Sequence, residues 1–241
     1  TKFQHGILHK LSQTKLNILL RIPVVNGLIK NKIRNGLGLS QTKLCASGSA
    51  PLPPVITAWF EKLGIEICEG WGMTENAALG TACLPFRKDK IGCIGRPWGG
   101  VSLKLSEQQE LLSKSPGNMM GYYLDPERTA EAFTDDGYLR TGDKAIVDGD
   151  GYYTITGRIK DIFKTAKGKY VTPAPIEAKL MENSVIEQVC VTGASLPQPI
   201  ALLVLSEEAQ EQSKNQITAS LQQTLNKING GLESHQRLEH L

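Results

Sequence analysis

The sequence predicts an α/β unit with an antiparallel β subdomain appended to it, followed by a small α+β domain. Three observations carry this prediction. A strand–helix–strand signature occupies residues 43–68, short alternating apolar runs broken by glycine fill 91–157, and ordinary helical and strand-like runs return after a basic, turn-rich stretch that begins at Arg158. The expected division is therefore 1–159, comprising an α/β unit 1–90 and a β-rich subdomain 91–157, and 160–241 beyond a boundary at Lys160. With 241 residues, 40% hydrophobic and 21% charged, the chain can bury a core in one large or two ordinary domains.

Taken in order, residues 7–34 place Ile7, Leu8, Leu11, Ile18, Leu19, Leu28, Ile29 and Ile33 in a loosely helical pattern. Pro23 interrupts it and Gly36 and Gly38 end it, so two helices are expected. Lys43–Ala46 reads as a short strand, and the prolines at 51, 53 and 54 prepare entry to a helix over Val55–Leu63 that Gly64 stops. Ile65–Cys68 reads as a second, buried strand. Strand, helix and strand make a parallel pair with a crossover, so the loops Ser47–Pro51 and Gly70–Glu75 should lie side by side at the sheet edge where α/β proteins bind ligands.

From Ile91 to Gly157, runs such as Val101–Leu105 and Tyr152–Thr156 alternate apolar and polar residues, the pattern of a small antiparallel barrel or sheet. Asp148–Gly151 is a hairpin turn after Ala145–Val147; Tyr153 stands where a calcium loop needs glycine, which argues against a calcium site. Beyond the basic segment come a helix over 175–182, strands over Glu187–Val191 and Ala201–Leu205, and a helix from Glu207 to about Ile228.

Composition narrows the function classes. The five cysteines contain no Cys-x-x-Cys pair, which supports neither a zinc site nor a disulfide framework and fits a reducing, cytoplasmic setting. His5 and His9 lie one helical turn apart, but a metal site there would need a third ligand that the neighbourhood does not offer. Residues 1–60 hold eight Lys/Arg and no acid, so the rest of the chain carries 19 Lys/Arg against 24 acids. Such a one-signed segment suits a polyphosphate-bearing partner, peripheral contact at the inner face of an anionic membrane, or an acidic carrier protein; it suits equally a face that meets acidic residues elsewhere. Nucleic acid is not expected, because no stacking set of aromatics is interleaved with the basic residues.

The stretch Glu69-Gly70-Trp71-Gly72-Met73-Thr74-Glu75 draws the site together. Glycines let the backbone approach a ligand, an indole offers a flat face, and a hydroxyl and a carboxylate offer a hydrogen bond and a metal-binding oxygen. These are parts for holding a nucleotide and its Mg2+; the plain alternative is a turn with a core Trp and a solvated Glu.

Five motifs in order then identify a family: Ser47-Gly48-Ser49-Ala50-Pro51-Leu52-Pro53; Gly70-Trp71-Gly72-Met73-Thr74-Glu75; Gly121-Tyr122-Tyr123 with Asp125-Pro126-Glu127; Tyr138-Leu139-Arg140-Thr141-Gly142-Asp143; and Gly157-Arg158-Ile159-Lys160-Asp161 running on to Gly168-Lys169-Tyr170-Val171. The chain resembles the second half of an adenylate-forming enzyme, most closely a long-chain fatty acyl-CoA synthetase. The resemblance implies the end of an α/β adenylation domain with its antiparallel β subdomain, then a small mobile α+β C-terminal domain.

It also implies a reaction in which a fatty acid attacks the α-phosphorus of ATP to give an acyl-adenylate, after which CoA takes the acyl group. In that scheme Gly48, Ser49 and Ala50 sandwich the adenine with Trp71, Gly70 and Gly72 belong to the same cofactor-binding set, Thr74 donates to the α-phosphate, and Glu75 holds Mg2+. Asp143 accepts the ribose hydroxyls and Arg158 supports that side. Lys160 is the hinge, and Gly168 lies beside the pantetheine path of CoA. The family also begins with several hundred residues that include a phosphate loop and carries a catalytic lysine near its C-terminus. Neither occurs here, so the sequence is expected to be a fragment that partners an N-terminal half of the same enzyme. Two further readings remain open at this stage: an acyl-carrier-protein ligase with the basic segment as docking face, and a non-catalytic nucleotide-binding or interaction module.

Overall fold

The computed structural model describes residues 12–241. The His5/His9 pair and the start of the first expected helix lie outside the described residues. Helix α1 (Gln13–Leu19) begins where the Ser12 side chain accepts from the Lys15 amide, and α2 (Pro23–Gly36) begins with proline at its first turn, where the missing N–H costs nothing. The interruption expected at Pro23 is thus the start of a helix. Gly38 follows with φ of +72°, a conformation that glycine adopts without strain.

Strand β1 (Cys45–Ser47), helix α3 (Pro54–Lys62) and strand β2 (Ile67–Trp71) form the predicted unit, with β1 and β2 parallel and Ser47 beside Glu69. The boundaries shift from the sequence reading: the first strand is Cys45–Ser47 rather than Lys43–Ala46, the helix begins and ends one residue earlier, and the largest change is in the second strand. The second strand starts at Ile67 rather than Ile65 and runs on through Gly70 and Trp71, because those two residues pair with β3 (Thr81–Ala82) on the opposite edge from β1. Ile65 is buried instead with Leu16, Trp59 and Leu63, in the core under α1 and α3. Strand β4 (Arg96–Pro97) completes the mixed sheet, in the order β1-β2-β3-β4.

The β-rich segment is an open antiparallel sheet rather than a barrel. Its strands β5 (Ser102–Leu105) and β6 (Glu110–Lys114) are followed by helix α4 (Pro126–Ala132), then by β7 (Leu139–Val147) and β8 (Tyr153–Arg158), in sheet order β5-β6-β7-β8. Helix α4 falls in a region read as all β. Its seven residues carry no apolar period, and the local signal is the cap, with Asp125 accepting from the Arg128 amide just before Pro126. A bridge between Gly95 and Tyr153 ties this sheet to the first, closed by the Tyr153 amide donating to the Gly95 carbonyl at 2.9 Å.

After a 3-10 turn at Ile159–Asp161, the hairpin β9 (Phe163–Lys164) and β10 (Tyr170–Val171) leads into α5 (Pro173–Leu180) and the antiparallel pair β11 (Ile186–Thr192) and β12 (Ile200–Leu205). The single long helix expected from Glu207 is two: α6 (Glu207–Gln210) and α7 (Lys214–Gly230). Ser213 and Gln216 form a reciprocal capping box, which satisfies the first amides of a new helix and so breaks the old one. Val171, Ile176, Leu180, Ile186, Val191, Ala201, Ile228 and Leu238 close one core here.

Leu180 is wholly buried in that core, so Leu180→Ala removes its packing and leaves a cavity. A loss of about 3 kcal/mol in unfolding free energy by urea titration is expected; a loss below about 1 kcal/mol contradicts this account of the core.

Candidate functional site

Two sheets meet at one carboxylate. Trp71 is the last residue of β2, Asp143 lies in the middle of β7, and Arg158 ends β8 directly opposite Asp143. The Trp71 indole Nε1 donates to Asp143 Oδ2 at 2.8 Å, and Arg158 Nε donates to Asp143 Oδ1 at 2.9 Å. The Asp143 side chain is 13% exposed and that of Arg158 61%, so the carboxylate is sunk between its donors while the guanidinium reaches solvent. Asp143 is therefore a strand residue held from two sides, not the turn carboxylate that Thr141-Gly142 would suggest.

The chain bends to make this fit. Gly142 adopts a φ of +70° and its amide donates to Glu110 Oε1 at 3.0 Å, while the buried Thr141 hydroxyl donates to the Leu111 carbonyl at 2.7 Å and accepts from the Asp143 amide at 3.1 Å. The ladder between β6 and β7 is irregular across Glu110–Leu112, and that between β7 and β8 across Lys144–Ala145. Such irregularities re-aim a side chain.

The glycine loops lie where the sequence places them. A Cβ on Gly48 would sit 3.2 Å from the Gly70 carbonyl oxygen, one on Gly70 would sit 3.0 Å from that of Thr81, and one on Gly72 would sit 2.6 Å from Ala78. The loop after β1 thus touches the end of β2, as expected of a parallel pair. Gly48, Ser49 and Ala50 are exposed, with Ser49 at φ +66°, and Trp71 is half-buried beside them. Trp71 serves both readings of it: it packs with Ile94, Leu103, Leu105 and Ile155 against the core of Leu111, Ala145 and Tyr153, and it keeps part of its ring open.

Thr74 and Glu75 enter a 3-10 turn, Thr74–Asn76. The buried Asn76 side chain accepts from the Met73 amide at 2.9 Å, and Ala77 and Ala78 take left-handed φ of +53° and +58° to close the turn. Thr74 is exposed. Glu75 Oε1 accepts from the Tyr122 hydroxyl at 3.0 Å, and the Glu75 carbonyl accepts from the Met119 amide at 2.7 Å. Lys160 is exposed in the turn that follows Arg158, and Gly168 sits at φ +76° in the β9–β10 hairpin, where a Cβ would meet only Lys164 at 3.8 Å.

This arrangement offers an exposed backbone loop, an aromatic face, an anchored carboxylate at Asp143 and a second carboxylate at Glu75. Residues 7–123 match the AMP-binding enzyme family, and residues 160–240 match the AMP-binding enzyme C-terminal domain. The chain belongs to the AMP-binding enzyme family. Among its relatives, the long-chain-fatty-acid–CoA ligase FadD15 of Mycobacterium bovis is 39% identical over 188 residues, which are 78% of this chain and 31% of that protein. The long-chain-fatty-acid–CoA ligase of Bacillus subtilis is 34% identical over 179 residues, 69% of this chain and 32% of its own length. The chain spans about a third of the length of these relatives.

Solved structures agree on the fold. The anthranilate–CoA ligase AuaEII, in complex with anthranoyl-AMP, superposes with a TM-score of 0.71 at 29% identity, covering 84% of this chain and 40% of that one. The adenylation domain of a carboxylate reductase from Mycobacterium chelonae gives 0.71 at 25% identity, covering 99% and 38%. The α/β adenylate-forming fold expected from the sequence is thus the fold of this chain.

The sequence reading misses Gly80 and the contacts of Tyr122 and Glu69, which it names only as members of their motifs. Tyr122 was visible only as part of Gly121-Tyr122-Tyr123, and no spacing signals that its hydroxyl reaches Glu75, 47 positions away. Burial, then its bond to Glu75, pushes the Tyr122 hydroxyl above the usual phenol range. Gly80 abuts Trp71, since a Cβ there would lie 2.2 Å from the Trp71 carbonyl oxygen and 2.4 Å from ring atom Cε3. Glu69 is buried in β2; burial pushes its carboxyl up, against the opposing effect of the Leu52 and Gly92 amides that face it.

Proposed function

We propose that this chain is part of an ATP-dependent fatty acyl-CoA ligase that forms an acyl-adenylate and then an acyl thioester of CoA. The observation that carries it is Asp143, fixed between the Trp71 indole and Arg158 with acceptor capacity to spare, while the exposed Gly48–Ala50 loop abuts Gly70, the residue before Trp71. Relatives that are fatty-acid–CoA ligases support the substrate class.

The residues fit the groups the reaction needs. Small residues at 48–50 admit the face of an adenine and the half-open indole stacks on it. Asp143 accepts the two ribose hydroxyls, and Arg158 contributes a guanidinium charge beside them. Thr74, exposed at the turn, donates its hydroxyl to the α-phosphate. Mg2+ takes one or two protein carboxylates and fills its octahedron with phosphate and water oxygens. Glu75 suits that role, held in place by Tyr122; no cluster of three or more acidic, His or Cys ligands occurs among the described residues. Mg2+, when bound, offsets charge gathering on the phosphates as the fatty-acid oxygen bonds to the α-phosphorus and pyrophosphate leaves. The CoA sulfur then bonds to the acyl carbon and AMP departs, with Gly168 beside the pantetheine arm.

In this reading residues 1–159 end the large domain, 160–241 form the small one, and rotation at Lys160 exchanges the adenylating face for the thiol-accepting one. A large remainder of the enzyme completes the site with further phosphate contacts and covers apolar side chains of α2, where Val24 is 77% and Leu28 67% exposed.

In the full-length ligase, Glu75→Gln is expected to lower ATP–pyrophosphate exchange by at least ~10²-fold, because an amide is a poor Mg2+ ligand. Near-normal exchange at saturating Mg-ATP removes Glu75 from the site.

Lys160→Pro separates the half-reactions. Proline fixes φ near −65°, so thioester formation should slow while adenylate formation, read by single turnover, persists. Equal loss of both steps contradicts the hinge.

A further inference from the structure

Trp71 offers more than a face to stack on. Its indole N–H donates to Asp143 Oδ2 across 72 positions of sequence, and the donor is itself immobilised: Gly80 packs so closely that a Cβ there would come within 2.4 Å of ring atom Cε3 and 2.8 Å of Cζ3. We propose that Trp71 is a positioning residue for Asp143, and that its N–H sets the carboxylate so that it accepts a vicinal diol, one hydroxyl to each oxygen. This rests on the reading of Asp143 as the ribose acceptor.

The chemistry runs from the lone pairs. A carboxylate has about four acceptor positions. Trp71 uses one on Oδ2 and Arg158 Nε one on Oδ1, which leaves one on each oxygen. The terminal torsion of aspartate is broad and roughly two-fold, so a carboxylate held at a single oxygen swings and presents its remaining lone pairs to many directions. Arg158 alone is a weak anchor, because its side chain is 61% exposed and long. The indole, seated against Gly80 and the core beneath the sheet, is the rigid one. With both bonds in place the two free lone pairs point together, and a ligand with two neighbouring hydroxyls is favoured over one with a single hydroxyl.

The test compares ATP with 3′-deoxy-ATP in the pyrophosphate exchange of the full-length ligase. Trp71→Phe removes the N–H with part of the ring. Replacement of Trp71 by β-(3-benzothienyl)alanine keeps a bicyclic ring of the same shape and removes only the N–H, which guards against a fold defect. The wild-type enzyme is expected to favour ATP in kcat/KM by ~10-fold or more, the size of one lost hydrogen bond to a charged acceptor. Both Trp71 replacements should reduce that preference to about 2-fold, through KM for ATP more than kcat. A benzothienyl variant with the full wild-type preference, alongside Asp143→Asn without it, overturns the positioning role and leaves the ribose assignment standing. Asp143→Asn with an undiminished preference overturns the ribose assignment itself, and the role of Trp71 with it.

Discussion

A carboxylate largely withdrawn from water between two sheets must be paired, and at Asp143 that constraint shapes the site. Hydrogen bonds to a charged group contribute roughly 1.5–3 kcal/mol each, and leaving such a group unpaired costs at least as much. The Trp71 bond is the larger of the two here, since the Arg158 guanidinium is mostly in water and its attraction is screened. One donor comes from the end of β2 and the other from the end of β8, so the Trp71 bond that helps satisfy the charge also fixes the mixed sheet against the antiparallel one, while the Arg158 bond ties β8 to β7 within its own sheet. The Gly95–Tyr153 bridge holds the same two layers further along.

That junction explains why small residues crowd one edge. Gly48 approaches the Gly70 carbonyl, Gly70 approaches that of Thr81, and Gly80 approaches the Trp71 ring. A side chain at Gly48 would crowd β1 against β2, one at Gly70 would crowd β2 against β3, and one at Gly80 would displace the indole from its seat on Asp143. The turn that carries Thr74 and Glu75 depends on the same edge: it starts three residues past the Trp71 anchor's own strand end and is locked by the buried Asn76 and by Tyr122. Fold and candidate site are therefore one arrangement, with this edge produced by the packing of two sheets.

The sequence made the backbone of this legible where local chemistry was strong. Proline before α3, glycine after it, and the apolar runs around Cys45 and Ile67 predicted the parallel pair and the meeting of its two loops. The Asp148–Gly151 hairpin was equally plain, because its turn residues are local. What escaped were matters decided by partners far away. The second strand extends to Trp71 only because β3 pairs with it, the short α4 has a cap but no apolar stripe, and the break at Ser213 is set by a capping box inside a continuous helical pattern. The motif residues Trp71, Asp143 and Arg158 could be singled out one by one, but the bonds among them span 72 and 15 positions and have no local signature.

The central claim is that Asp143, held by Trp71 and Arg158, is where a nucleoside monophosphate meets this chain. Mapping AMP onto residues 1–241 by amide and indole NMR shifts tests it most directly. The account predicts saturable shifts at the Trp71 indole, at Gly48–Ala50 and around Asp143, all abolished by Asp143→Ala in a protein that keeps its dispersed spectrum. Shifts confined to the basic residues before Lys43, or shifts at Trp71 that persist in Asp143→Ala, would contradict it.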